Sequence, residues 1–361
     1  MAALVAALFF LCALLLSLAV GGGPLSAPAM IGIGTLLFAA SNRWTGWLRD
    51  VTPVFALGSL LVAWRVWIIA HHLNIIGPLA GAAYGALLAG LCALAWVVLE
   101  GVSAIPSRRI WRFVPPVLFG VALLYLWEVV VAAFNIPKVL LPTPSQIGAV
   151  LIGQADVFVA DFRVTFLRAV LAGFVLGNGL GFLTALAIDR LPFLQRGLLP
   201  LGNLVSAVPI VGIAPIMVMW FGFGWQSKTA VIVVMIFFPM LVNATAGLAA
   251  ADPLQRDLMR SYGASYARTL WQLRFPAALP FLFNALKINS TLALIGAIVA
   301  EFFGSPIAGM GFRISVEIGR LNTDMVWATI AVAAVAGSLS YGVLALLERQ
   351  FTYWHSSYRS R

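Results

Sequence analysis

Apolar residues in this chain come in long blocks broken by short polar or Pro- and Gly-containing stretches. The blocks are near 20 residues long, at roughly 1–20, 24–41, 52–70, 78–99, 114–134, 164–188, 199–222, 229–250, 281–300 and 326–347. An α-helix needs about 20 apolar residues to cross the hydrocarbon of a bilayer. Short segments of alternating hydrophobicity, as in an outer-membrane barrel, are absent. Lipid offers no hydrogen-bond partner to an open backbone, so each block is predicted to be a helix. The expectation is an all-α, polytopic transmembrane bundle. Pro24 and Pro28 make the second block the shortest in practice. The first, Met1 to Val20, lacks a positive leading region and runs longer than a signal-peptide core of about 7–15 residues, so it reads as a retained span.

Composition strengthens this picture. The chain has 361 residues, of which 62% are hydrophobic and 9% charged. Soluble domains carry about 25% charged residues, so a water-exposed fold of this length is excluded. The net charge of +10 comes from basic residues scattered singly, which excludes a nucleic-acid face. Those residues report orientation instead. With both termini on one side, 14 of the 22 Lys and Arg fall in loops on that side and 5 in loops on the other. Both termini are therefore expected in the cytoplasm.

The basic stretch Ser103–Arg112 divides the chain. Residues 1–110 form a region of about four spans with short loops and unknown role. Residues 111–361 form a core of six spans, with long outer loops at about 135–163 and 301–325 and a cytoplasmic loop at 251–280. Long loops on a rigid scaffold are where function concentrates.

The cytoplasmic loop carries helix punctuation. Asp252 suits an N-cap and Pro253 the first helical position. A helix is predicted to about Tyr262, stopping at Gly263, where a left-handed turn needs no Cβ. A second short helix is expected to end before Pro276 and Pro280. Within this loop, Asp257-Leu258-Met259, three residues, Gly263, nine residues, then Leu273-Arg-Phe-Pro276 resembles the EAA loop of binding-protein-dependent ABC importer permeases. The glycine, proline and spacing match that pattern, Asp257 fills its acidic position, and Leu258 and Met259 replace its alanines. Leu141-Pro-Thr-Pro-Ser-Gln146, Val208–Pro215, Phe237–Asn243, Ala300-Glu-Phe-Phe303 and Gly309-Met-Gly-Phe312 are similar to the sulfonate, taurine and nitrate branch, which also includes permeases for thiamine-precursor pyrimidines.

The resemblance implies a six-helix type I importer permease core in a bacterial inner membrane. Asp257, Leu258, Met259, Arg260, Gly263, Ala264, Leu273 and Pro276 would then form the coupling segment that docks on a separate ABC ATPase subunit. It also implies a periplasmic or lipid-anchored substrate-binding protein and a dimer with an identical or similar chain. The cargo class would be a small anion, such as a sulfonate or nitrate, or a small heterocycle such as a vitamin precursor.

The remaining chemistry agrees. No Gly-x-x-x-x-Gly-Lys-Ser/Thr loop occurs, so ATP and Mg²⁺ would be used by a partner and no cofactor is expected on this chain. His71 and His72 are adjacent and diverge on a helix, and Cys12 and Cys92 sit in apolar runs, so neither a metal site nor an enzyme is predicted. Pro209 and Pro215 would break the seventh span, and broken helices at membrane depth line cavities or are buried in protein. A translocation path is therefore placed at Ser206, Pro209, Pro215, Asn243 and Glu301. Gly173, Gly177 and Gly181, spaced by four, predict close helix packing. Asn178, Asn203, Asn243, Asn284 and Asn289 are expected to bond between helices, Glu128 to pair with Arg168, and Lys287 to snorkel toward the cytoplasm. Two other readings stand beside this one: an ion-coupled secondary transporter, and a non-transporting membrane scaffold.

Overall fold

The computed structural model describes residues 114–133, 136–191, 193, 194, 196–198, 209–304 and 307–354. The four expected spans before residue 110, and Ser206 and Asn203, lie outside the described residues. Every regular element described is a helix. The chain divides into two compact units, one ending at Ser145 and one running from Gln146.

The first unit contributes α1 (Val114–Ala133). Its Glu128 is buried, and both carboxylate oxygens are taken by Ser145, one by the backbone N–H at 2.9 Å and the other by the hydroxyl at 2.7 Å. Glu128 thus caps the turn that opens α2 (Pro144–Gly153), whereas the expected partner, Arg168, is exposed.

The second unit is built on four helices long and apolar enough to cross a bilayer: α3 (Ala155–Arg190), α5 (Trp225–Ala249), α7 (Tyr266–Gly304) and α9 (Thr323–Phe351). Between them lie α4 (Ile210–Phe221), α6 (Pro253–Ser261) and α8 (Met310–Gly319). Helix α5 is central, packed along its length between α3 and α7, with α4 on its flank; α9 and α8 pack on α7. At about 1.5 Å per residue the 25 residues of α5 span roughly 37 Å, enough for the hydrocarbon core. Exposed aromatic side chains lie near its two ends, Trp220, Phe223 and Trp225 at one and Trp271 at the other, as in interfacial belts.

The glycine ladder explains why α3 and α5 lie so close. A Cβ added at Gly173 would stand 2.6 Å from Ile232, and one at Gly177 would stand 2.5 Å from Ile236. At Gly181 it would meet the Phe237 carbonyl at 2.6 Å. Apolar side chains gain nothing from leaving lipid for protein, so contact between backbones supplies the attraction. Polar groups lock the same layer. Asn289 on α7 donates to Asn178 Oδ1 on α3 at 2.7 Å and to the Ile236 carbonyl on α5 at 3.0 Å. Asn178 in turn donates to the Phe174 carbonyl at 2.7 Å. Asn243 does not join helices; it donates to the Pro239 carbonyl of its own helix at 2.8 Å, and Asn284 is exposed.

Three expectations change. Helix α3 starts at Ala155 rather than near 164, inside the expected outer loop, because its polar residues Asp161 and Thr165 are buried against protein instead of facing lipid. The second short helix of the 251–280 loop does not end before Pro276; it is the first part of α7 and runs on through Pro276 and Pro280. A π-helical turn at Leu270–Arg274 widens the helix ahead of Pro276, making room for a ring that would otherwise press on the preceding carbonyls. Lys287 does not snorkel: its ammonium pairs with Glu348 on α9 at 2.7 Å.

Candidate functional site

Helix α6 is built by its ends. The Asp252 carboxylate accepts from Leu254 N at 2.8 Å, and Pro253 occupies the first turn, where its missing N–H costs nothing. At the other end Gly263 takes φ +65°, Gly263 N donates to the Arg260 carbonyl at 2.9 Å, and Ala264 N donates to the Met259 carbonyl at 2.9 Å. That pair of bonds is a Schellman closure, and the left-handed residue in it favours glycine.

No residue of α6 is buried. Asp257 and Arg260 form an exposed pair at 3.6 Å, which adds little stability. Leu254, Leu258 and Tyr262 follow each other at four-residue steps, so their side chains align along one stripe. They are 77%, 56% and 80% exposed, an apolar stripe on an otherwise polar helix. Met259 is half-buried, as are Leu273 and Pro276 at the start of α7.

The loop returns to the bundle at one polar joint. Arg274 forms a two-pronged pair with Asp189, the last acidic residue of α3, with Nη1 at 2.7 Å from Oδ2. Its Nε donates to the Leu248 carbonyl near the end of α5 at 2.9 Å. The Tyr266 hydroxyl donates to Asp189 at 2.6 Å, and the Arg190 guanidinium stands 4.3 Å from the centre of the Tyr266 ring.

At the opposite end of the helices a second cluster holds the segment between α7 and α8. Glu301 is 1% exposed, and its carboxylate takes the Thr165 hydroxyl at 2.9 Å and Gly311 N at 2.8 Å, with Lys228 Nζ at 3.9 Å. Asp161 accepts from Gly309 N at 2.9 Å and from Arg313 Nε at 2.8 Å. Thr165 accepts from Met310 N at 2.8 Å. Gly309 (φ +136°) has no room for a Cβ, which would lie 2.6 Å from the Glu301 carboxyl. Thr165 belongs to a π-helical stretch of α3, Arg163–Val170, a departure from regular helix of the sort that recurs at functional positions.

Residues 177–353, which contain α5, the whole of the 251–280 loop and the Asp189–Arg274 joint, match the family described as binding-protein-dependent transport system inner membrane component. A probable ABC transporter permease protein of Haemophilus influenzae is 30% identical over 239 residues, covering 66% of this chain and 97% of the relative. The chain belongs to this family. A formylaminopyrimidine transport permease protein of Halalkalibacterium halodurans is 30% identical over 251 residues, 68% of this chain and 98% of the relative. A putative aliphatic sulfonates transport permease protein of Bacillus subtilis is 28% identical over 262 residues, 72% of this chain and 94% of the relative.

This chain is thus the membrane-spanning permease subunit of an ABC importer, multi-pass in the inner membrane, and permease subunits of this family are not enzymes. Family membership sets aside the scaffold and ion-coupled readings. It also makes the family's binding-protein dependence a property to be explained. Near-complete coverage of these relatives leaves about a third of this permease without a counterpart in them.

The structure gathers Asp257, Leu258, Met259, Arg260, Gly263 and Ala264 on one exposed helix and its closing turn, with Leu273 and Pro276 on the adjoining first turns of α7. Of the residues assigned to a path, Pro209 and Pro215 belong to α4, which packs on α5 and α7, the helices that carry Asn243 and Glu301. Pro209 is the N-cap of α4, Pro215 lies within that helix, Asn243 is spent on its own backbone, and Glu301 has no free surface. Sequence reading passed over Asp161, Thr165, Lys228, Asp189 and Arg274. Their one signal was position: charged and hydroxyl residues at the margins of apolar blocks, where a loop and a buried helix end look alike.

Proposed function

We propose that α6 is the coupling helix of this permease and docks by its Leu254–Leu258–Tyr262 stripe on a separate ABC ATPase that uses ATP and Mg²⁺. The observation that carries this reading is the exposure of that stripe on a helix so firmly capped at both ends. An exposed apolar stripe on a polar helix marks an interaction surface. Both termini and α6 would face the cytoplasm, and a periplasmic or lipid-anchored binding protein would deliver cargo to the end carrying α8. Two such chains, identical or similar, would frame the pore, each with an ATPase below.

Sulfonate and formylaminopyrimidine permeases among the relatives support a small anion or a small heterocycle as cargo. The four apolar segments before residue 110 would form an added membrane region apart from the core at 111–361. The path is better sought around Pro209 and Pro215 on α4 than at Glu301, whose carboxylate holds the α7–α8 segment in place.

The test pairs Gly263→Glu with Asp257→Arg. The expected result is normal membrane insertion with loss of ATPase co-purification and of uptake; retained ATPase binding refutes the placement. Thermal-shift screening of the cognate binding protein against sulfonates, nitrate and pyrimidines assigns the cargo class.

A further inference from the structure

We propose that Asp189 and Arg274 form the joint through which movement of α6 reaches the membrane bundle, a reading that rests on α6 being the coupling helix. Because no residue of α6 is fully buried, a push on it passes to the spans chiefly where its flanking segments are anchored. One anchor is the direct continuation from α5 through Ala251, which is buried. The other is the start of α7, where Arg274, about two turns in, is bonded at once to α3 through Asp189 and to α5 through the Leu248 carbonyl.

The chemistry suits transmission. A two-pronged guanidinium–carboxylate pair fixes direction as well as distance, which a lysine cannot do. Its side chains are only 14% and 17% exposed, so water competes weakly for it. Tyr266 adds a third bond to Asp189 from about two turns further toward α6. Helix α3 then leads from Asp189 to Thr165 and Asp161, which hold the backbone N–H groups of Met310 and Gly309. Asp189 and Arg274 are accordingly positioning residues: they touch neither nucleotide nor cargo, and they make the α8 end respond to the α6 end.

The experiment uses the full permease with its cognate ATPase in nanodiscs, with Cys12 and Cys92 replaced by alanine. A single reporter, Ile318→Cys on an exposed position of α8, is titrated with a maleimide, nucleotide-free and then with ATP and vanadate. The unaltered joint should give at least a threefold difference in labelling rate between the two states. Asp189→Asn and Arg274→Lys should each bring the ratio close to one with the ATPase still bound and hydrolysing ATP. The exchange Asp189→Arg with Arg274→Asp should recover at least half of it. A merely structural role would lower the melting temperature and leave the ratio alone.

A wild-type ratio in Asp189→Asn, or no ratio in the unaltered complex with ATPase bound, overturns the proposal. Should Asp189→Asn fail to assemble, Tyr266→Phe decides: a reduced ratio upholds the joint and an unchanged one removes it. Failure of the unaltered permease to hold any ATPase would instead sink the coupling-helix reading itself.

Discussion

The hydroxyl of Thr165 on α3 stands 2.9 Å from both carboxylate oxygens of Glu301 on α7 while accepting the Met310 N–H at 2.8 Å. One hydroxyl therefore serves as donor and acceptor between two helices and the segment that joins α7 to α8. All three groups are buried, so none can turn to water if the hydroxyl is removed.

Thr165→Val keeps the shape of the side chain and removes both bonds. The Met310 N–H left without this acceptor costs about 1–3 kcal/mol and the bond lost to the Glu301 carboxylate, which keeps Gly311 N and Lys228, about 1–2 more, so the variant should lose about 2–5 kcal/mol. The loss should appear as a lower melting temperature in detergent and faster proteolysis between residues 305 and 322. Thr165→Ser should behave as wild type. Equal stability of the valine variant would show that the hydroxyl is not the tie between these elements.

The α3–α5 seam predicts a contrast between neighbouring glycines. Gly177→Val places a side chain where Ile236 already stands 2.5 Å from an added Cβ, and overpacking of this kind costs about 1–3 kcal/mol. Ile236→Ala in the same chain should recover much of it. Gly179, two residues along, has nothing within 4 Å of an added Cβ, so Gly179→Ala should be tolerated. Melting temperatures of the three variants beside the unaltered chain in one detergent decide the point; equal loss at both glycines would remove the packing argument.

Much of this was open to reading from residue order. Asp252, Pro253 and Gly263 are local signals, and the capped helix they predict is the one observed, because capping depends on a few neighbouring residues. The four-residue glycine spacing likewise translated into a close seam. What could not be read was tertiary. Asp161 and Thr165 resemble loop residues until Gly309–Arg313 is folded over them, so α3 was started too late. Pro276 resembles a helix stop until the π-helical turn before it is seen, and the partners of Glu301, Thr165, Gly311 and Lys228, are known only once four elements are folded together.

Leu321 closes α8 with φ +58°, in the position of a Schellman turn that favours glycine, and its side chain is exposed. Its N–H donates to the Ile318 carbonyl at 3.0 Å and Asn322 N to the Glu317 carbonyl at 2.9 Å, so the turn itself is well made. A left-handed conformation costs an ordinary residue about 1–2 kcal/mol. Leu321→Gly should therefore raise stability by up to about 1 kcal/mol, after the added freedom of the unfolded glycine is set against the strain relieved. A lower melting temperature for the glycine variant would mean that the leucine side chain has a contact worth more than its strain.

The stripe on α6 separates stability from assembly. Leu254, Leu258 and Tyr262 touch no core, so Leu254→Ser with Leu258→Ser should leave the melting temperature of the isolated permease almost unchanged, as surface changes usually do within about 0.5 kcal/mol. If these residues anchor an ATPase, each should be worth about 1–2 kcal/mol of binding, and the pair should weaken capture by a factor of roughly 30 or more. Co-purification at graded ATPase concentrations, read beside melting curves of permease alone, gives both numbers from one set of preparations. Undiminished capture by the double serine variant would mean that the ATPase holds some other surface, and the exposed stripe would then need a different occupant.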